Sequence, residues 1–223
     1  MASQEQNMLA RYRRRQGRLY RLLRPPAPLL HNSQERSLPW LEGVKLFIGG
    51  AGGLIPAGFV NVDMSAVPGV DISADLQRFP FRDGSVAAIE CDAVLEHVPD
   101  PAVAVTEMRR VLKPGGYLHI VVPFCHPFHG YPSDFNRWSD EGIRRLLKDF
   151  EILDVGVRTG AAAALLAFIL EYSKVLLPGT AGRVAYVLLG WLLWPLRYMD
   201  LISNRTPRSE IMANHLYALA RKR

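Results

Sequence analysis

From residue 44 onward the chain alternates short apolar runs with longer stretches of helical periodicity. Runs at 44–48, 59–62, 70–72 and 86–89 read as strands; glycines close the first, Asp63 closes the second, and acidic and polar residues follow the fourth. Residues 101–112 predict a helix, with Val103, Met108, Val111 and Leu112 apolar, Asp100 as N-cap and Pro101 in the first position. Lys113, Pro114, Gly115 and Gly116 stop it, and 117–122 is a strongly β-forming run. A second helix at 139–147 has Ser139 as N-cap and Glu141 in its first turn. Strands at 150–157 and 214–220 complete the pattern. Apolar strands separated by helices predict an α/β domain with a doubly wound, mostly parallel, seven-stranded sheet covered on both faces.

One segment interrupts this alternation. Residues 159–170 and 184–196 carry no charge, and Pro178-Gly179 lies between them. The longer stretch reaches about 20 Å as a helix, short of the roughly 30 Å of a hydrocarbon core, so neither is expected to span a membrane. Together they predict an apolar helical hairpin at about 159–205, inserted before the last strand. Tyr186, Trp191, Trp194 and Tyr198 are aromatics of the kind favoured at a membrane interface. The hairpin is expected to attach the protein peripherally to a membrane, a dimer interface or a pocket lid being the competing readings.

Charge sharpens the picture at the other end. Residues 1–24 hold seven arginines against one acid, Glu5, which accounts for the whole formal charge of +6. The basic character is therefore a local arm and not a protein-wide face for nucleic acid. Leu9, Tyr12, Leu19, Tyr20 and Leu23 recur at roughly helical spacing among those arginines, as in a basic amphipathic helix that lies on anionic lipid or on RNA. No apolar core follows, so the arm does not read as a secretory signal. Pro25, Pro26 and Pro28 make a linker, which divides the chain into an arm and linker at 1–40 and a domain at 41–223. The two cysteines, Cys91 and Cys125, fit no disulfide framework or zinc spacing; no metal is expected, and a cytoplasmic setting fits.

In a doubly wound sheet the ligand lies beyond the carboxyl ends of the strands. Gly49, Gly50, Ala51, Gly52 and Gly53 follow the first strand there, and Asp63 ends the second, where a carboxylate accepts from a ribose diol. The pair suggests an adenosine-containing cofactor. A nicotinamide enzyme is not indicated, because Leu54 and Ile55 replace the later glycine of the dinucleotide fingerprint and Asp63 follows too soon.

Three segments then carry a family resemblance. Residues 75–85, Asp-Leu-Gln-Arg-Phe-Pro-Phe-Arg-Asp-Gly-Ser, resemble the D-x-x-x-L-P-F-x-D-x-S segment of class I S-adenosylmethionine (SAM)-dependent methyltransferases of the type 11 group. Leu95-Glu96-His97 resembles their L-E-H, and residues 109–118 are similar to their R-V-L-K-P-G-G-x-L. The resemblance spans about 44–157 and implies a Rossmann-like fold with SAM as cofactor. It implies that Gly49, Gly50 and Gly52 cradle the methionine part, Asp63 the ribose, Asp75 and Leu76 the adenine, with Asp92 and Ala93 flanking. Phe47 stands where the family usually has an acid, Gly50 for a Cys, Ala51 for a Gly and Ala87 for an Asp.

Methyl transfer from a sulfonium needs alignment, exclusion of water and, for a hydroxyl acceptor, a base. The segment after the 117–122 strand offers His126 and His129 as bases with Asp134 as orienting partner, and Tyr131, Arg137 and Trp138, with His97, as acceptor contacts. The expected function is methyl transfer to a small or lipid-linked acceptor at a membrane surface, with oligomerisation through the hairpin as a further use of that face. An RNA methyltransferase gripping phosphate with its arm, and a non-catalytic SAM-binding module, are the alternatives.

Overall fold

The computed structural model describes residues 23, 25–27, 29–36, 38, 41–51, 53, 55–130 and 133–223. The arginine arm, and Gly52 and Tyr131 among the expected site residues, lie outside them. Among the described residues seven strands form one sheet: β1 (Lys45–Ile48), β2 (Val60–Asp63), β3 (Ile72–Ser73), β4 (Val86–Asp92), β5 (Leu112–Pro123), β6 (Phe150–Thr159) and β7 (His215–Lys222). Their order is β3-β2-β1-β4-β5-β7-β6, with β7 antiparallel to both neighbours and every other pairing parallel. The chain order reverses between β1 and β4, which is where a crevice opens in such sheets.

Period-2 alternation gives the sheet two unlike faces. One is aliphatic: Leu46, Ile48, Val62, Ile89, Cys91, Leu118, Ile120, Leu216 and Ala218 are all buried on it. Helices α1 (Pro101–Val111) and α2 (Asp140–Leu146) close that face with Met108, Val111, Ile143 and Leu147. Their starts are those the sequence predicts: Asp100 accepts from the Ala102 and Val103 amides, and Ser139 from Gly142. After α1 the Lys-Pro-Gly-Gly segment ends the helix but also belongs to β5, as a bulge between the pairs Val86–Leu112 and Ala88–Tyr117.

The other face is more polar. It carries Phe47, Glu90, His119, Tyr217 and Arg158, and among the described residues an irregular segment at 31–36 lies against it. Asn32 bonds β6 through its amide to the Arg158 carbonyl, 2.8 Å, and through its side chain to that of Val157, 3.0 Å. Glu35, nearly buried, pairs with His119 Nε2 at 2.9 Å and with Arg158. The short link from β1 to β2 leaves room only for a turn, and among the described residues the 31–36 segment meets this face through the contacts of Glu35 with His119 and Arg158.

The hairpin forms as predicted: α3 (Ala161–Leu176) and α4 (Thr180–Leu193), followed by a 3-10 turn at Trp194–Met199 and the short α5 (Asp200–Ser203). Gly160 supplies no side-chain cap to α3. The buried Asp200 does so from the far end of the insertion, accepting from Ala162 N at 2.8 Å and Ala163 N at 3.0 Å. No helix of the described residues is long and apolar enough to cross a membrane. The hairpin nevertheless exposes Phe168, Tyr172, Val175, Leu188 and Leu192, and α5 adds Ile202. Residues before the domain dock on it: Trp191 Nε1 donates to the Leu23 carbonyl at 2.9 Å and Arg197 Nη1 to that of Ala27 at 3.1 Å.

Candidate functional site

The expected cofactor residues gather at the carboxyl ends of β1, β2 and β4. Gly49 turns with φ +88°, and a Cβ there would meet Val94 Cγ2 at 2.2 Å; at Gly50 a Cβ would meet Asn61 Oδ1 at 2.3 Å. Both glycines are thus required by close packing of the turn on β2 and on the β4 exit. The turn is tied to Asp63: Ala51, itself at φ 43°, donates its amide to Asp63 Oδ2 at 3.0 Å. The other oxygen, Oδ1, accepts from Ser65 N at 2.8 Å and Ser65 Oγ at 2.5 Å. A carboxylate has about four lone-pair sites, so three donors leave one for a ribose hydroxyl, and rotation of Ser65 frees a second.

Asp75 caps the 3-10 turn Leu76–Arg78, accepting from Gln77 N at 2.9 Å through Oδ1, while Leu76 is buried beneath it. Asp92 ends β4, with Arg158 Nη2 at 3.6 Å, and Ala93 takes φ 52° as its amide bonds the Val121 carbonyl at 3.0 Å. Arg110 explains the position of the segment before β4. Its guanidinium grips the Phe79 and Phe81 carbonyls at 2.9 Å each, Asp83 at 2.6 Å and Glu107 at 2.8 Å, holding residues 79–83 against α1.

The second part of the site is a chain of four imidazoles. Ring centroids of His97 and His129 are 5.0 Å apart, His129 and His126 4.7 Å, His126 and His215 4.9 Å. His97 follows β4 and His126 and His129 follow β5, so the topology brings them together at one edge of the sheet. The members differ in role. His126 bonds Asn214 Oδ1 at 3.0 Å, and burial, reinforced by His129, pushes its pKa down to about 4. Burial pushes His215 down to about 3, beside Thr159 Oγ1 at 3.1 Å. Both are neutral at physiological pH. For His129, burial favours the neutral ring, but Glu96 and Asp134 outweigh it and the pKa rises above 6.5. His129 Nδ1 lies 3.3 Å from Asp134 and its Nε2 3.4 Å from Glu96.

Two expected acceptor contacts are corrected here. Arg137 has no donor left for an anionic acceptor. Its Nε binds the His126 carbonyl, Nη1 binds Asp134 and the Asn136 carbonyl, and Nη2 binds Asp134 and the Pro127 carbonyl. It shapes the loop and holds the Asp134 carboxyl far below the usual carboxylate range. Trp138 is buried in the aliphatic core, not in the wall of a cleft. One residue was not picked out from the sequence: Glu96, fully buried, whose carboxylate oxygens have no hydrogen-bond donor among the described residues. A charged residue in the Leu-Glu-His turn after an apolar strand was the available signal.

Residues 57–120 match the family model described as a methyltransferase domain. A demethylmenaquinone methyltransferase of Renibacterium salmoninarum is 39% identical over 74 residues, 33% of this chain and 31% of that protein. A 37.1 kDa protein of transposon Tn4556 from Streptomyces fradiae is 47% identical over 53 residues, 23% of this chain and 15% of that protein. The chain thus spans less than a third of the length of these curated relatives. Among solved structures, a SAM-dependent methyltransferase from Thermotoga maritima superposes with a TM-score of 0.57 at 17% identity, both chains being covered in full. That likeness is one of fold.

Proposed function

We propose, starting from a chain that carries a methyltransferase domain over residues 57–120 on a class I SAM-dependent methyltransferase fold, that this protein methylates a small or lipid-linked acceptor at a membrane surface. The observation that carries the reading is a shared edge. The glycine turn, Asp63, the imidazole chain and the start of the apolar hairpin all lie where the parallel strands end. The residues present suit SAM: Asp63 keeps acceptor capacity for a ribose hydroxyl, Asp75 has Oδ2 left as an acceptor for an adenine amino group because Oδ1 is taken by the Gln77 amide, and Leu76, Asp92 and Ala93 would flank the cofactor.

The bound sulfonium supplies an already activated methyl group. The chain's own residues then align the acceptor and exclude water. His129 is the base we assign for a hydroxyl acceptor, oriented by Asp134, and His97 lines the same space; His126, tied to Asn214 and neutral, is a positioning residue. The acceptor reaches this edge along the hairpin, whose exposed apolar side chains suit the headgroup boundary of a bilayer. Trp191 holds Leu23 against the hairpin, and the seven arginines of residues 1–24 carry the charge that an anionic lipid surface would attract, which is the partner we assign to the arm.

The test is transfer of label from methyl-labelled SAM into fractions of a membrane lipid extract and into total RNA. Label in the lipid fraction, lost in His129→Ala, is expected. Label in RNA alone would move the assignment to the nucleic-acid alternative, and bound SAM with no label in either would support the non-catalytic one.

A further inference from the structure

Glu96, His97 and His129 present one ligand atom each to a common point, all within 4.8 Å of one another. Glu96 Oε1 lies 3.4 Å from His129 Nε2 and 3.8 Å from His97 Nε2. Neighbouring ligands around a tetrahedral zinc ion with bonds of about 2.1 Å sit about 3.4 Å apart. The Glu96–His129 separation already has that value, and the rest closes with side-chain rotations of less than about 1.5 Å.

The outer contacts point the same way. A metal-bound imidazole uses one nitrogen and donates the other N–H to a carbonyl or carboxylate. His97 Nδ1 lies 2.5 Å from the Ser133 carbonyl, and a carbonyl accepts only, so the proton sits on Nδ1 and the Nε2 lone pair faces Glu96. His129 Nδ1 faces Asp134 at 3.3 Å, which Arg137 and the His129 amide hold in place, so its Nε2 also faces Glu96. Glu96 itself is fully buried, and its oxygens find no donor among the described residues. A buried carboxylate whose nearest candidate donor is an imidazole nitrogen 3.4 Å away is poorly compensated, and a cation between it and two imidazole lone pairs removes that cost.

We infer that Glu96, His97 and His129 form a binding site for a divalent first-row transition ion, zinc being the best match to two imidazoles and one carboxylate. Three protein ligands leave a fourth position open, as in catalytic and not structural sites. The Glu96 side chain is sealed, whereas that of His129 is 33% exposed, so the cluster is reached from the His129 side. The site stands on these contacts independently of the methyl-transfer reading. Where both hold, the ion takes over from His129: an acceptor hydroxyl in the open position becomes more acidic and releases its proton to solvent, leaving an oxygen nucleophile.

The experiment uses the full chain, without an affinity tag and stripped with a chelator. It is titrated calorimetrically with zinc sulfate alone, with no SAM present, and a parallel sample is loaded with cobalt(II) for visible absorption. One equivalent of zinc should bind, cobalt should give the intense bands of a four- or five-coordinate ion, and Glu96→Gln and His97→Gln should each weaken zinc binding at least ~10-fold. Both variants are checked for an unchanged circular dichroism spectrum, and the cobalt bands report the ligand set wherever affinity alone would be ambiguous. No stoichiometric zinc binding, or binding that both variants retain at full strength, overturns the inference. Because no cofactor enters the assay, failure of SAM to bind would leave this result unaffected.

Discussion

The Ala51 amide donates to Asp63 Oδ2 at 3.0 Å, so the carboxylate expected to hold a ribose also fastens the glycine turn to the end of β2. Removing it acts twice. Asp63→Ala should lower stability without any ligand, by about 1 kcal/mol for a lost charge-assisted bond at a half-exposed group, and should abolish SAM binding. Asp63→Asn keeps one side-chain oxygen for Ala51 and should recover most of the stability but little of the affinity. Chemical denaturation and calorimetry of the two variants check this; equal stability of Asp63→Ala and the parent would show that the bond contributes nothing.

The glycine turn makes a separate prediction. Gly50→Ala places a Cβ 2.3 Å from Asn61 Oδ1, and Asn61 is fixed by a bond from its Nδ2 to the Gly69 carbonyl at 2.7 Å. The strain should cost about 1–3 kcal/mol, read as a lower urea midpoint at unchanged slope.

Asp200 ties the far end of the insertion to the start of α3. Asp200→Ala leaves the Ala162 and Ala163 amides uncapped and should cost about 2 kcal/mol, more than an exposed cap because the carboxylate is buried. Asp200→Asn, which keeps one acceptor, should lose less. Thermal unfolding of the pair gives the comparison.

Acid should loosen the grip of Arg110 on the segment before β4. The Arg110 guanidinium, with the Phe79 amide, holds the Glu107 carboxyl below its ordinary 4.5, and Asp83 shares the same guanidinium. A depressed folded-state value means that the contribution is complete above pH 4.5 and disappears as pH falls through the lower folded value. Glu107→Gln should therefore be less stable than the parent at pH 7, and the gap should narrow as pH falls below 4.5. A gap that stays constant with pH would contradict this assignment.

Leu192 and Ile202 are 71% and 74% exposed, and neither lies in the aliphatic core. Leu192→Glu and Ile202→Glu should leave the melting temperature unchanged and reduce flotation of the protein with vesicles rich in phosphatidylglycerol. Undiminished flotation would remove the hairpin from the membrane contact.

Much of the fold was legible in the sequence because local rules decide it. Asp100-Pro101 and Ser139 start their helices where capping chemistry demands, and Pro178-Gly179 separates two uncharged helices as the composition implies. What escaped depends on contacts between distant positions. Pairing Glu35 with His119 and Arg158 bridges 84 and 123 positions, and no periodicity reveals that a polar sheet face is closed by a loop. Arg137 looks like an anion clamp in sequence, and only the loop geometry shows all its donors spent on carbonyls and Asp134. Glu96 was hidden in a motif read for its resemblance and not for its chemistry; its isolation and its two imidazole neighbours emerge only when the β4 and β5 exits meet.

SAM is expected to bind at the edge formed by the glycine turn, Asp63 and Asp75. Calorimetric titration of the purified full chain with SAM and with S-adenosylhomocysteine tests it most directly. Saturable one-to-one binding of both ligands is expected, abolished in Asp63→Ala and weakened in Asp75→Ala while both variants remain folded. Absence of binding to either ligand by the folded parent protein would contradict it.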